Sequence, residues 1–199
     1  MGRSDWVWDL VELSAALAAG DVSAESAAFE RLSEAGRARE VEELLLQSYL
    51  FLGFPTALES LRRWRTTGAP APEPTAEGPE LWARRGVTTC RTVYGDKYER
   101  LRENVAALHP DLDRWMVEEG YGKVLGRPAL ALDIRELCIV AMLVVTAARR
   151  QLRSHLQGAL NAGASPADVE RTLEHAGRLA GEEGRALAEK LWRGVQQRA

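Results

Sequence analysis

Apolar residues recur along this chain at three- and four-residue spacings, the period of helices that bury one face. Over residues 6–19 they are Val7, Leu10, Val11, Leu13 and Leu17, and Gly20 stops the run. Ser23 can cap a second helix reaching about residue 35, which Gly36 ends. Residues 41–52 read as a third, strongly apolar helix closed by Gly53. Pro55 opens a fourth helix to about residue 64, at a first-turn position where its missing N–H has no partner to lose. The stretch GAPAPEPTAEGP, residues 68–79, holds four of the chain's eight prolines and little that can be buried, so it reads as an extended linker. Beyond it the pattern predicts helices near 80–93, 96–107 and 110–120, a turn at Gly126-Arg127-Pro128, and helices near 134–148, 150–162, 166–180 and 183–196. No segment sustains the two-residue alternation of a half-buried strand, and the prediction is an all-α fold.

The helical pattern repeats. Val41-Glu42, Leu45, Gly53 and Trp64 recur at an offset of 128 as Val169-Glu170, Leu173, Gly181 and Trp192, five identities in 24 positions. With one residue of gap, Ala35-Gly36 matches Ala162-Gly163, and Asp9-Leu10 falls on Glu136-Leu137. Residues 9–64 and 136–192 are therefore expected to be two copies of one four-helix unit. The expected organisation is an N-terminal helical repeat over 1–67, the Pro-rich linker over 68–79, and a second helical domain over 80–199.

Composition narrows the class of partner. The 199 residues carry 26 basic and 29 acidic side chains, a formal net charge of -3. Arginines are spread along the chain, often within a helical turn of a Glu, and form no basic stripe, so neither nucleic acid nor an anionic membrane is expected as a partner. The two cysteines, Cys90 and Cys138, stand 48 positions apart and have neither zinc-ligand nor Cys-x-x-Cys spacing. Reduced thiols in a soluble cytoplasmic protein are expected, with Cys138 a small buried apolar residue. The longest apolar run, residues 137–148, falls short of the roughly 20 residues that span a bilayer. No cofactor or metal is predicted.

The most specific stretch runs from Arg135-Glu136-Leu137 through Arg153-Ser154-His155-Leu156-Gln157-Gly158-Ala159-Leu160-Asn161-Ala162-Gly163 to Ser165-Pro166-Ala167-Asp168-Val169. It resembles the carboxymuconolactone decarboxylase family of the alkyl hydroperoxidase D-like superfamily, whose members open one helix with a Glu or polar residue and carry a His on the next. The resemblance extends upstream through Tyr94-Gly95-Asp96 and residues 121–128, covers about residues 86–192, and reaches the 41–55 segment as well. In the hydroperoxidase branch a Glu, a Cys-x-x-Cys pair and a His form a proton relay and dithiol couple. Carried onto this chain, the Glu falls on Glu136 and the His on His155, while the thiol positions fall on Ala148 and Gln151. Neither can supply sulfur chemistry.

The decarboxylase branch, which keeps the His and dispenses with the dithiol, is the better likeness, although its Gly-Asp-Ala-His is here Gly95-Asp96-Lys97-Tyr98. The resemblance implies His155 as the group that delivers a proton, with Glu136 or Tyr98 in support, and a cation such as Lys97 or Arg127 on a substrate carboxylate. Each residue also has a plainer reading. Asp133-Ile134-Arg135-Glu136 has the spacing of a capping box, and His155 between Leu152, Leu156 and Ala159 can be a satisfied core histidine. His175 reads as an ordinary polar helix residue, His109 as an exposed helix start, Ser165 as a cap, and Trp64, Trp115 and Trp192 as core or subunit contacts. Two functions remain open: an enzyme acting on a small acidic or carbonyl-containing molecule, and a non-catalytic helical module that kept the fold and lost the chemistry. The superfamily resemblance and the apolar 44–52 helix both imply a homo-oligomer, at least a dimer.

Overall fold

The computed structural model describes residues 2–197, and among them every regular element is helical. The α-helices are α1 (Asp5–Ala19), α2 (Val22–Glu34), α3 (Ala38–Thr66), α4 (Pro79–Tyr94), α5 (Tyr98–Leu108), α6 (Pro110–Trp115), α7 (Leu132–Val145), α8 (Arg149–Asn161), α9 (Pro166–Gly177) and α10 (Glu182–Gln196). No helix among the described residues is long and apolar enough to cross a membrane.

The chain forms two compact units, one of residues 1–71 and 129–199 and the other of residues 72–128. This grouping differs from the division read along the sequence, because helices 132–196 share a core with helices 5–66 instead of with those that precede them. The cause is the burial demand of α1 and α7. In α1, Leu10, Val11, Leu13, Ala15 and Ala16 are all fully buried, and in α7 every residue from Ile134 to Val144 is buried. A helix apolar on all sides needs neighbours all round. The two pack on each other; α1 also touches α2, α3 and α9, and α7 touches α3, α8, α9 and α10. Each fully buried Leu or Ile here contributes about 1.5–3 kcal/mol relative to exposure.

Helix boundaries in the first unit recur at an offset of 127 or 128. α2 and α8 are both 13 residues long and begin 127 positions apart, and α3 and α9 begin 128 apart. The turn after α1 passes through Gly20 (φ 68°) and the turn after α7 through Ala147 (φ 51°), the left-handed region that glycine enters at least cost. The following helices stop at Gly36 (φ 69°) and Gly163 (φ 106°). α3 breaks at Gly53 (φ 82°, ψ 163°), as the expected end of one helix and start of the next before Pro55, and Gly181 caps α10 at the corresponding place. The indole of Trp64 donates to Glu42 at 2.7 Å, and that of Trp192 donates to Glu170 at 3.2 Å.

In the second unit the sequence pattern anticipated a helix over 110–120, but the structure has α6 followed by a π-helical segment, Met116–Leu125. That segment and α4 meet backbone to backbone. A Cβ on Gly122 would lie 2.0 Å from the carbonyl oxygen of Trp82, and one on Gly86 would lie 2.1 Å from that of Val117, so only glycine fits at either place. Arg85 reinforces the contact by donating to the Gly122 carbonyl at 2.6 Å. The Pro-rich segment is extended as expected, yet it is tied down at its end: Glu77 receives two hydrogen bonds from Arg85, at 2.9 and 2.6 Å, which hold its carboxyl below the usual range.

A buried glutamate and histidine on neighbouring helices

α8 is amphipathic, with Leu152, His155, Leu156 and Ala159 on its buried face at three- and four-residue spacings. α7 supplies the wall they pack against, and Glu136 is its one buried carboxylate. The two polar side chains meet there: His155 Nδ1 lies 2.8 Å from Glu136 Oε2. Glu136 is 0% exposed and His155 4%. The edge of the imidazole meets the ring of Phe51 from α3, with centroids 5.5 Å apart and planes at 84°.

This geometry corrects the capping-box reading of Glu136. α7 begins after Ala131 with no side-chain cap, Asp133 is held by Arg3 at 2.7 Å, and the Glu136 carboxylate turns inward. An ionised carboxylate only accepts, so a bond to Nδ1 requires that nitrogen to carry the proton. Nε2 of a neutral ring is then the basic nitrogen, and no described residue hydrogen-bonds it. The second carboxylate oxygen, Glu136 Oε1, is buried without a hydrogen-bond partner. A buried acceptor left unsatisfied costs about 1–3 kcal/mol, so the position favours whatever donor can reach it. Such a pair can take a proton at the imidazole, stabilise the resulting imidazolium and return the proton.

The residue before Glu136 is the bulkiest fully buried charged side chain of the unit. Arg135, 0% exposed, donates to Glu43 Oε2 at 2.6 Å, to Gln47 Oε1 at 3.1 Å and to the carbonyl of Leu130 at 3.1 Å. Gln47 donates back to the Arg135 carbonyl at 3.3 Å. Residues 43, 47 and 51 of α3 stand at four-residue spacing on one face, so the helix that brings Phe51 to His155 is anchored by the guanidinium beside Glu136. The sequence pattern did not single out Glu43, Gln47 or Phe51. The stripe of one acid, one amide and one aromatic at that spacing was its only trace.

The other expected site residues lie in the second unit. Tyr98 is buried, its hydroxyl accepts from Arg102 at 2.8 Å, and the Arg91 guanidinium lies over its ring at 4.5 Å. Lys97 is exposed in the 3₁₀ turn Gly95–Lys97, and Arg127 donates to Thr75 at 3.1 Å. Among the remaining histidines, His109 is exposed and caps α6 by accepting from the Asp111 N–H. His175 is less ordinary than expected: it bonds Glu12 at 2.7 Å and stacks on Trp8. Ser165 and Asp168 form a reciprocal cap. Trp64 and Trp192 are buried, whereas Trp115 is 50% exposed.

The positions that would hold a dithiol carry no sulfur: Ala148 precedes α8, and Gln151 is exposed on it. Cys90 and Cys138 are both buried and unbridged. Burial pushes the Cys138 thiol up to about 12, against a weaker downward pull from the Ser14 hydroxyl. In an unfolded chain a thiol ionises near about 8.5. Its contribution to stability is therefore full below that pH and is lost as pH rises toward the folded value, by up to about 1.4 kcal/mol per pH unit. Urea midpoints measured from pH 8 to 11 are expected to fall more steeply in wild type than in Cys138→Ala. Parallel slopes would show that the thiol keeps an ordinary pKa.

Residues 110–190, which contain both Glu136 and His155, match the sequence profile of the Carboxymuconolactone decarboxylase family. The chain is 32% identical over 136 residues to Peroxisomal protein 2 of Schizosaccharomyces pombe, an overlap of 65% of this chain and 63% of that protein. It is 26% identical over 99 residues to 4-carboxymuconolactone decarboxylase of Acinetobacter baylyi, covering 49% of this chain and 74% of that enzyme. The chain thus spans less than two thirds of the length of the first of these relatives. Around the buried acid and imidazole the chain is thus similar to the carboxymuconolactone decarboxylase family, and its helices are those of that family's all-α, alkyl hydroperoxidase D-like fold.

Proposed function

We propose that Glu136 and His155 form a proton-transfer pair acting on a small acidic or carbonyl-containing molecule, without dithiol peroxidase chemistry. The observation that carries this reading is the 2.8 Å bond between two buried groups, one of which keeps an unpartnered oxygen. In a decarboxylation of this class the bond from the carboxylate carbon to its neighbour breaks, CO₂ leaves, and its electron pair passes into an enolate. The imidazolium of His155 then gives its proton to the carbon that lost the carboxylate, and Glu136 stabilises the cation until it does. Name and profile of the Acinetobacter relative agree with this direction. Tyr98 and Arg127 have hydrogen-bond partners of their own, and Lys97 is exposed, so the proton chemistry is assigned to the first unit alone.

The test is a panel of β-keto acids and carboxylated lactones incubated with the protein in D₂O, followed for CO₂ release and for deuterium entering the carbon next to the carbonyl. At least one compound is expected to react, and equally fast with the Cys90→Ser, Cys138→Ser double variant. No reaction across the panel would favour the reading as a non-catalytic module. A hydroperoxide consumed by wild type but not by the double variant would overturn the exclusion of thiol chemistry.

We also infer that the two halves of the first unit are copies of one four-helix unit. Matching helix lengths, the left-handed turns at 20 and 147 and at 36 and 163, and the paired Trp–Glu bonds support it. In this register His155 falls on Ala28 and Glu136 on Asp9, which binds Arg31 at 2.5 Å, so only the second copy carries the proton-transfer pair. Self-association belongs to the same reading, with a second copy of the chain as the occupant of the apolar surface at the α3 break, where Phe54 is 64% and Leu58 52% exposed. Sedimentation is expected to give at least twice the 22.0 kDa chain mass, reduced by Phe54→Ser with Leu58→Ser. A concentration-independent monomer would end this part of the proposal.

A further inference from the structure

The proton-transfer pair has no open approach. Glu136 is fully buried and His155 is only 4% exposed, so a ligand reaches the imidazole only when a side chain around it moves. Leu152 and Leu156, its neighbours on α8, are fully buried, as is α7 from Glu136 to Met142, and a close-packed interior of this kind leaves no room to give way. Phe51 differs from them. It is half-buried, and its ring meets the imidazole with centroids 5.5 Å apart and planes at 84°.

The backbone beneath Phe51 differs as well. Two residues on, Gly53 stands at φ 82°, ψ 163°, a conformation open essentially to glycine alone, and α3 breaks there. Pro55 has no N–H, so the Phe51 carbonyl cannot receive the bond that the residue four positions on gives in an unbroken helix. What bridges the break is a hydroxyl and a ring pair: Thr56 donates to the Leu52 carbonyl at 3.1 Å, and Tyr49 stacks on Phe54 at 4.7 Å. Every residue from Tyr49 to Thr56 is at least partly exposed, whereas Gln47 and Ser48 just before them are buried. Interrupted backbone bonds and thin burial are the marks of a segment that opens locally while the core stays closed.

We propose that Phe51 is the gate of the Glu136–His155 site, a residue that determines access and specificity by turning its ring aside at the α3 break to admit a ligand to Nε2. The inference rests on the proton-transfer role given to His155 above. Opening takes an aromatic contact away from the imidazole. A ligand with a flat apolar flank restores that contact, and a small hydrated one does not. The gate therefore favours carbonyl acids with an aryl or conjugated flank over short aliphatic ones.

Carbethoxylation by diethyl pyrocarbonate, read on the full chain by peptide mass spectrometry, measures access to His155 with no substrate needed. The exposed His109 is the internal standard, and the buried Cys138, probed with N-ethylmaleimide, reports any general loosening. Wild type is expected to label slowly at His155, at a rate nearly independent of urea below the unfolding transition, because a local opening exposes little surface. Phe51→Ala, and to a smaller extent Phe51→Leu, should speed labelling at His155, the former by roughly tenfold or more, while Cys138 stays unlabelled. Phe51→Tyr should restore slow labelling. Phenylacetate should protect His155 of the wild type at concentrations roughly tenfold below those of acetate, since its ring has apolar surface to bury. If the variants unmask His155 and no carbonyl acid is turned over by any form of the protein, the gate stands and the proton-transfer reading falls. Wild-type labelling rates in both Phe51→Ala and Phe51→Leu, Cys138 labelling that rises in step with His155, a urea dependence equal to that of global unfolding, or equal protection by the two acids would overturn the proposal.

Discussion

Exchange of His155 for Gln is expected to lower turnover on any substrate of the Glu136–His155 site by about 10²–10⁴-fold, the usual weight of a positioned acid–base group. Gln can fill much of the imidazole's volume and can donate an amide N–H to Glu136 Oε2, so the bond that crosses from α8 to α7 can be kept. It cannot accept a proton and return it. The fold should therefore survive, with an unchanged circular dichroism spectrum and a denaturation midpoint close to wild type, while the rate falls. Glu136→Gln should act in the same direction for a different reason: an amide can no longer stabilise an imidazolium, although it can still bond Nδ1. A reaction that ran at the wild-type rate in both variants would remove the pair from the chemistry and leave it a structural bond between two helices.

How much of this was readable along the chain depends on the range of the interaction concerned. Helix limits set by local chemistry came through: Gly20 and Gly36 entering the left-handed region, Pro55 and Pro166 at first turns, Ser165 with Asp168 as a cap. The turn at Ala147 did not, because a non-glycine residue at φ 51° has no sequence mark. The π-helical segment was equally hidden. The segment packs Gly122 against the Trp82 carbonyl 40 positions earlier, a contact that no periodicity within 116–125 records. Glu136 shows the same division. Asp133 and Glu136 have local capping-box spacing, but Arg3 takes Asp133 from 130 positions away and His155 takes Glu136. The family resemblance named Glu136 and His155, together with Tyr98, which lies in the second unit. It could not supply Phe51, Glu43 and Gln47, which come from α3.

Replacing Arg135 by Ala is expected to destabilise the protein by about 3–5 kcal/mol, the cost of removing one partner from a buried ion pair. The guanidinium is 0% exposed and the Glu43 side chain 5%, so water cannot readily take the place of the lost cation. Gln47 Oε1 and the Leu130 carbonyl lose a donor in the same step. A mesophilic domain has a total stability of only about 5–15 kcal/mol, which makes this a loss that urea denaturation resolves without difficulty. The double variant Arg135→Met, Glu43→Leu separates the charge from the volume. With both ions gone and the space filled, stability should return to within about 1–2 kcal/mol of wild type, since apolar replacement of a buried pair is often neutral or better. Turnover by that repaired variant then reports on positioning. α3 carries Phe51 two turns beyond Glu43, and its hold on α7 at this end is the Arg135–Glu43–Gln47 network. A variant that is stable again but slow would assign the network to aligning Phe51 and Glu136 around His155, whereas full recovery of both would make it a packing element alone.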